Sequence, residues 1–152
     1  MRSPLRFLFT LFYLSIVVMN AKGQKMESQN AVNFWPKDQL MAPSSLAELI
    51  RTKSPETPLL VCVGKDACIP GSVECGAADE RNTLIKMRTQ IGRQDKNKPV
   101  VIYCGCSPEL NCTDIKPVFG MLKNMGFKNP MILNLPNNLK TDWIDQGYPV
   151  KP

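Results

Sequence analysis

The chain contains no histidine among its 152 residues. Histidine is the usual general base near neutral pH and the commonest metal ligand, so its absence excludes Ser-His and Cys-His catalytic arrangements and histidine-based metal sites. The formal net charge is +6, but the basic residues form no run, and we expect no nucleic-acid partner. No apolar run reaches the roughly 20 residues that cross a bilayer, so we expect no stable membrane insertion after removal of an amino-terminal signal over residues 1–23.

The amino terminus has the pattern of a secretory signal. Arg2 and Arg6 precede an apolar run over residues 7–19, and the small residues Ala21 and Gly23 follow it. This order of a charged start, an apolar middle and a small-residue exit predicts a signal peptide over residues 1–23, with an uncleaved membrane anchor as the alternative. We therefore expect a periplasmic or secreted protein.

Residues 24–43 are polar and irregular, and they predict a lead-in segment that contacts the domain through Phe34 and Trp35. A single domain is expected over residues 44–152.

Ser45 lies three residues before Glu48, which is the spacing of a capping box, and it predicts a short helix that starts at this point.

Three short apolar runs, PLLVCV, PVVIYC and MILNL, begin near residues 58, 99 and 131. Such runs are typical of strands that are covered on both faces. Apolar residues at helical spacing follow each run: Leu84, Met87 and Ile91 before Gly92; Ile115, Val118, Phe119, Leu122 and Met125 before Gly126; Leu139 and Trp143 between Asn138 and Gly147. The alternation predicts an α/β fold, a central parallel sheet with helices on both faces.

Six cysteines stand out in a predicted exported chain: Cys62, Cys68, Cys75, Cys104, Cys106 and Cys112. Disulfides are one interpretation, and Cys68 with Cys75 would form a loop bridge. Cys62 lies inside an apolar run and is interpreted as a small buried side chain. A thiolate site for zinc or copper is a further alternative, although paired Cys-x2-Cys spacings are absent.

Cys104 has a physical reason to be reactive. It closes a predicted central strand, and parallel α/β sheets place their functional sites beyond the carboxyl ends of their strands. The chain then turns into a helix predicted to start near Asp114, whose free N–H groups and positive dipole end favour a thiolate. Pro117 fits in the first turn of that helix.

The segments LLVCVGKDACIPGS, KPVVIYCG, LKNMGFKNPMILN and DWIDQGYPV follow one another in an order that resembles a single-domain rhodanese over about residues 44–150. The resemblance to these sulfurtransferases implies that Cys104 is the catalytic cysteine, which holds sulfane sulfur as a persulfide without any cofactor. It also implies an active-site loop whose backbone N–H groups surround an anion. The loop residues are Gly105, Ser107, Glu109, Leu110, Asn111 and Thr113. The implied partners are a small sulfur donor or a thiol acceptor, either a small molecule or a protein.

The sequence departs from the family in ways that affect chemistry. Places that commonly hold acidic and basic helpers are occupied by Cys62, Gly64 and Cys68, and the loop has no basic residue before Lys116. The negative charge of thiosulfate would therefore be poorly neutralised in this loop. Instead the loop supplies additional thiols.

Cys106 and Cys112 are candidate resolving cysteines, because either thiol could attack a persulfide or mixed disulfide on Cys104. We favour Cys112, since a ring closed from Cys104 to Cys106 would be strained. The predicted function is sulfur transfer or thiol–disulfide exchange at Cys104. The alternative is a non-catalytic binding module whose loop cysteines are oxidised or hold a metal.

Overall fold

A computed structural model describes residues 35–64, 68–76, 81–105 and 112–152. The elements follow in the order of a 3-10 turn at Lys37–Gln39, strand β1 (Leu40–Met41), helix α1 (Pro43–Arg51), strands β2 (Leu59–Val63) and β3 (Val73–Glu74), helix α2 (Arg81–Ile91), strand β4 (Val100–Cys104), helix α3 (Ile115–Asn124), strand β5 (Pro130–Leu133) and a π-helix at Lys140–Ile144. The predicted signal segment and Phe34 lie outside the described residues.

The five strands form one sheet in the order β1-β5-β4-β2-β3, and every strand pair is parallel. All five residues of β4 and the last four of β2 are buried. Full burial explains the continuous apolar runs, because helices cover both faces of a parallel sheet. The predicted α/β fold is therefore confirmed.

The two faces of the sheet have separate cores because successive strand side chains point to opposite sides. We call the side covered by α2 and α3 the α3 face and the side covered by α1 and the π-helix the α1 face. The buried side chains of the α3 face include Val63, Met87, Ile91, Val100, Ile102, Cys104, Ile115, Val118 and Leu122. Those of the α1 face include Leu46, Leu60, Cys62, Ile69, Val101, Tyr103, Leu133, Leu139 and Trp143.

Helix α1 begins earlier than its capping-box spacing predicts. Its N-cap is Ala42, its first residue is Pro43, and Ala42 makes no side-chain capping bond. Proline is favoured at the first helical position because its φ is already helical and its missing N–H would have no helical partner. The expectation of a helix start at Ser45 was therefore wrong.

The segment predicted as a polar lead-in contributes to the sheet. Leu40 and Met41 pair with Ile132 and Leu133 of β5 as an edge strand. The Trp35 ring packs on Phe119 of α3, with 5.0 Å between the ring centroids. The contact expected through Trp35 is therefore present.

The ends of α2 and α3 agree with the sequence. Helix α2 ends at Ile91, directly before Gly92, and α3 ends before Gly126, which has φ +87°. Glycine accepts this left-handed conformation at a helix terminus without a Cβ penalty. The N-cap of the last helix is Leu139, one residue after the predicted Asn138, whose side chain accepts a hydrogen bond from the Thr141 N–H at 2.8 Å.

Candidate functional site

The site lies where β4 ends and α3 begins. Cys104 is the last residue of β4, and strand alternation places its side chain on the α3 face, with Ile102. Cys112 lies two residues before Asp114, the N-cap of α3. The structure joins Cys104 and Cys112 in a disulfide, with 6.4 Å between their Cα atoms. This is the pair that the sequence favoured for resolution of a sulfur adduct.

The two half-cystines are unequally buried. Cys104 has 1% of its surface exposed and Cys112 has 8%. Cys104 belongs to a regular strand in the middle of the sheet, and its register partner in β2 is the fully buried Val63. Cys112 belongs to the connection that leads into α3. The disulfide thus links a strand residue of the sheet to a slightly more exposed residue of the connection, and both belong to the buried cluster of the α3 face.

The start of α3 lies directly beside the disulfide. The Ile115 N–H donates to the Cys112 carbonyl oxygen at 3.4 Å, and the Val118 N–H donates to the Asp114 carbonyl oxygen at 3.4 Å. Pro117 is the third residue of the helix, within the first turn as predicted. The positive end of the helix dipole therefore faces the connection that carries Cys112, and it would stabilise a thiolate released there.

One backbone group of the predicted anion loop is engaged in the sheet. The Gly105 N–H donates to the Val63 carbonyl oxygen at 3.2 Å, which continues the ladder between β4 and β2. This N–H is therefore directed toward β2 and not toward an anion. Thr113 lies exposed beside Cys112.

The remaining predicted loop residues lie outside the described part of the chain. These are Cys106, Ser107, Glu109, Leu110 and Asn111.

Cys62 in β2 and Cys75, which directly follows β3, have a different environment. Cys62 is completely buried on the α1 face, as its position in an apolar run predicts. Cys75 is a thiol, so the bridge considered between Cys68 and Cys75 does not form. Burial raises the pKa of Cys75 from 9.0 to about 12, and the neighbouring Cys62 and Glu74 add to the rise. A thiol with so high a pKa is a poor nucleophile at neutral pH.

Sequence reasoning missed a hydrogen-bonded triangle that fixes the segment after β2. The Tyr103 hydroxyl donates to the Ser72 hydroxyl at 2.8 Å, and the Ser72 hydroxyl donates to the Ile69 carbonyl oxygen at 2.7 Å. The Ile69 N–H donates back to the Tyr103 hydroxyl at 3.4 Å. Burial raises the pKa of Tyr103, with a further contribution from Cys62, so the hydroxyl keeps its proton.

The need of Tyr103 for a hydrogen-bond partner could be anticipated from the sequence, but the identity of that partner could not. Tyr103 directly precedes Cys104, and a tyrosine on a buried strand needs a hydrogen-bond partner. The partner, Ser72, lies 31 positions away, and only the pairing of β2 with β4 brings the two together.

The carboxy-terminal tail closes over the same end of the sheet on the α1 face. The Lys151 N–H donates to the Cys68 carbonyl oxygen at 2.7 Å. The Trp143 indole N–H donates to the Pro149 carbonyl oxygen at 2.8 Å, and its ring lies 5.1 Å from that of Tyr148 in an edge-to-face arrangement. These contacts give the tail a packing role.

The described residues lack two kinds of feature. They contain no group of three or more cysteine, aspartate or glutamate side chains placed to hold a metal ion. Within the same ranges, no helix is both long enough and apolar enough to cross a membrane.

Neither the protein-family models nor the curated proteins that were searched match this chain. The Cys104–Cys112 pair is the feature of the described residues that offers a defined chemistry.

Proposed function

We propose that this protein is an exported, rhodanese-like thiol–disulfide exchange protein whose Cys104–Cys112 pair cycles between disulfide and dithiol. One observation carries the proposal: the disulfide joins the carboxyl end of a central parallel strand to the start of the following helix. Functional sites of α/β sheets concentrate at this position. The family resemblance of the sequence supports the same location for sulfur chemistry.

The exchange reaction balances with two equivalents of an external thiol. One thiolate attacks a sulfur of the Cys104–Cys112 disulfide, forms a mixed disulfide and releases the other protein sulfur as a thiolate. A second external thiolate then attacks the external sulfur of the mixed disulfide. The products are an oxidised external disulfide and the protein dithiol, and the reverse sequence oxidises the protein.

The same pair supports sulfur transfer once it is reduced. The Cys104 thiolate would take the outer sulfur of thiosulfate, release sulfite and become a persulfide. Attack of the Cys112 thiolate on Cys104 would restore the disulfide and release the transferred sulfur as hydrosulfide. The scarcity of basic residues in the loop makes thiosulfate a weak donor here, which favours exchange with thiols as the main reaction.

The reduction potential of the pair tests the proposal. The purified protein is equilibrated in glutathione redox buffers, trapped with a maleimide, and the Cys104 and Cys112 peptides are identified by mass. We expect half-reduction at a potential above about −270 mV, in the range of exchange proteins, whereas structural disulfides of secreted proteins lie below about −300 mV. A pair that stays oxidised throughout the glutathione range would overturn the proposal.

Persulfide formation is measured separately. Reduced protein treated with a polysulfide is expected to gain about 32 mass units for one sulfur atom, and the adduct should be removed by a dithiol. The Cys104→Ser variant should not gain it at this position. An adduct that is unchanged in Cys104→Ser would remove Cys104 from the sulfur-transfer route.

A specific observation favours one other candidate. The 1% exposure of Cys104 is also what a structural disulfide in a non-catalytic binding module would have. In that case the pair would resist glutathione, and the Cys104→Ala/Cys112→Ala variant would lose stability without losing any exchange activity. The potential measurement therefore separates the two candidates, and a metal assay on reduced protein tests the version in which the thiols hold a metal.

A further inference from the structure

The geometry points to Cys112, and not Cys104, as the sulfur that external thiols attack. Cys104 is then the internal cysteine that re-forms the disulfide. This inference rests on the proposed exchange function, and it reverses the order of the two cysteines that the family resemblance implies.

Accessibility is the first argument. Displacement at sulfur proceeds in line with the breaking bond, so an attacking thiolate must reach the target sulfur from the side opposite the leaving sulfur. Cys104 has 1% of its surface exposed, and the buried side chains that share its cluster include Val63, Ile102 and Ile115, each exposed by 1% or less. In the disulfide form, the described side chains therefore leave less of Cys104 than of Cys112 open to an external thiolate.

Cys112 also belongs to this buried cluster, but it differs from Cys104 in its exposure and in its backbone setting. It has 8% of its surface exposed, and it belongs to a connection instead of a strand. Its neighbours along the chain on the α3 side are the exposed Thr113 and the partly exposed Asp114. A thiolate that approaches from the start of α3 therefore meets Cys112 first.

The backbone determines which sulfur can move once the bond opens. Cys104 is held by the β4–β2 register at Val63, and the next residue donates its N–H to the Val63 carbonyl oxygen at 3.2 Å. Among the described residues, the Cys112 carbonyl accepts a longer hydrogen bond from the Ile115 N–H, at 3.4 Å. We therefore expect Cys112 to carry the external group outward while Cys104 stays in place.

The environment of Cys104 suits the closing step. Apolar surroundings disfavour a free thiolate, so a Cys104 thiolate released by attack on Cys112 is driven to form a bond again. It attacks the Cys112 sulfur of the mixed disulfide, re-forms the protein disulfide and releases the external thiolate. In the oxidative direction the same two steps convert an external disulfide into two thiols and leave the protein disulfide.

The first experiment locates the mixed disulfide in the intact chain. Oxidised protein is mixed with reduced glutathione, quenched with acid at short times, and the glutathione-bearing peptide is identified by mass spectrometry. We expect glutathione on Cys112. Glutathione on Cys104 would overturn this inference and leave the exchange function intact, whereas failure of glutathione to open the disulfide at all would overturn both.

The second experiment compares matched variants that each keep one thiol of the Cys104–Cys112 pair. In a Cys68→Ser/Cys106→Ser background, Cys104→Ser leaves the Cys112 thiol and Cys112→Ser leaves the Cys104 thiol, with Cys62 and Cys75 present in both. We expect oxidised glutathione to modify Cys112 at least ~10-fold faster than Cys104, because reactivity requires access as well as a thiolate. Equal rates, or faster modification of Cys104, would contradict the assignment.

Folding of the variants is checked by cooperative unfolding in urea. Where one of the two variants does not fold, the acid-quenched mapping decides, because it uses the chain with all six cysteines.

Discussion

The two faces of the sheet are closed by different kinds of interaction. On the α1 face, Tyr103 and Trp143 are fully buried, and each side chain makes hydrogen bonds to neighbouring segments. On the α3 face the helix start is fixed to the sheet by the Cys104–Cys112 disulfide. The first face is held by packing and hydrogen bonds, and the second also by a bond that a reductant can break.

The two faces of the sheet therefore differ in how they respond to a reductant. A change in redox conditions leaves the contacts of Tyr103 and Trp143 unchanged, because none of them involves a sulfur–sulfur bond. The same change alters the link between β4 and α3. We therefore expect the α1 face to provide a constant scaffold and the α3 face to provide the part that responds to thiols.

The largest expected effect concerns the scaffold. Replacement of the fully buried Trp143 by alanine, Trp143→Ala, removes a large side chain, its hydrogen bond to the Pro149 carbonyl and its contact with Tyr148. We expect the free energy of unfolding to fall by about 3–5 kcal/mol, measured by urea denaturation. The adjacent Ile144→Ala is the control, because Ile144 is 43% exposed and its truncation should cost far less. Equal losses for the two variants would contradict the scaffold role.

The next effect concerns the link on the α3 face. Reduction of the disulfide releases a cross-link between residues separated by 8 positions, which corresponds to about 2.5 kcal/mol of unfolding free energy in the chain-entropy description. Urea denaturation with and without a phosphine reductant measures this loss. The Cys104→Ala/Cys112→Ala variant should show no response to the reductant.

Hydrogen exchange locates the change. On reduction, protection of the first turn of α3 should decrease, and protection of α1 should stay the same. An equal decrease on both sides would show that the disulfide supports the whole fold and would remove the distinction between the two faces.

The sequence predicted the central elements of the fold. The runs at β2, β4 and β5 are apolar because both of their faces are covered, and the glycines after α2 and α3 mark helix ends, so local patterns were sufficient. The edge strands β1 and β3 have two residues each, too few for any periodicity to appear. They form only because a neighbouring strand supplies hydrogen-bond partners.

The candidate site was predictable in part. The position of Cys104 followed from the strand that precedes it, and the preference for Cys112 followed from the strain of a ring closed to Cys106. The unequal exposure of the two sulfurs could not be read from the sequence, because it depends on how α3 packs on the sheet. The hydrogen bond of the Gly105 N–H could not be read from the sequence either, because its acceptor, the Val63 carbonyl oxygen, belongs to β2.

An alkaline titration tests the buried Cys75 thiol, which belongs to the cluster of the α3 face. The folded pKa of Cys75 is about 12, above its ordinary value of 9.0, so the thiol contributes stability that is complete below pH 9 and is lost as the pH rises toward 12. The unfolded chain releases the proton first, and the loss approaches about 1.4 kcal/mol per pH unit within this window. Cys75→Ala should flatten the decrease between pH 9 and 10, measured by urea denaturation. Cys68→Ala retains Cys75 and should keep the wild-type slope.

The smallest effect concerns the hydrogen-bonded triangle of Tyr103, Ser72 and Ile69, which lies on the face of the sheet opposite the disulfide. Tyr103→Phe keeps the buried ring and removes the hydroxyl that donates to Ser72 and accepts from the Ile69 N–H. We expect a loss of about 1 kcal/mol in unfolding free energy, because the partners are only partly able to reach water. Tyr148→Phe is the matched control, since it removes a hydroxyl but keeps the ring contact with Trp143, and it should cost less.

The reduction potential of Cys104–Cys112 should be the same in both variants, because Tyr103 points to the α1 face and the disulfide lies on the α3 face. A shifted potential in Tyr103→Phe alone would mean that the two faces are coupled through β4, and the scaffold would then take part in the chemistry.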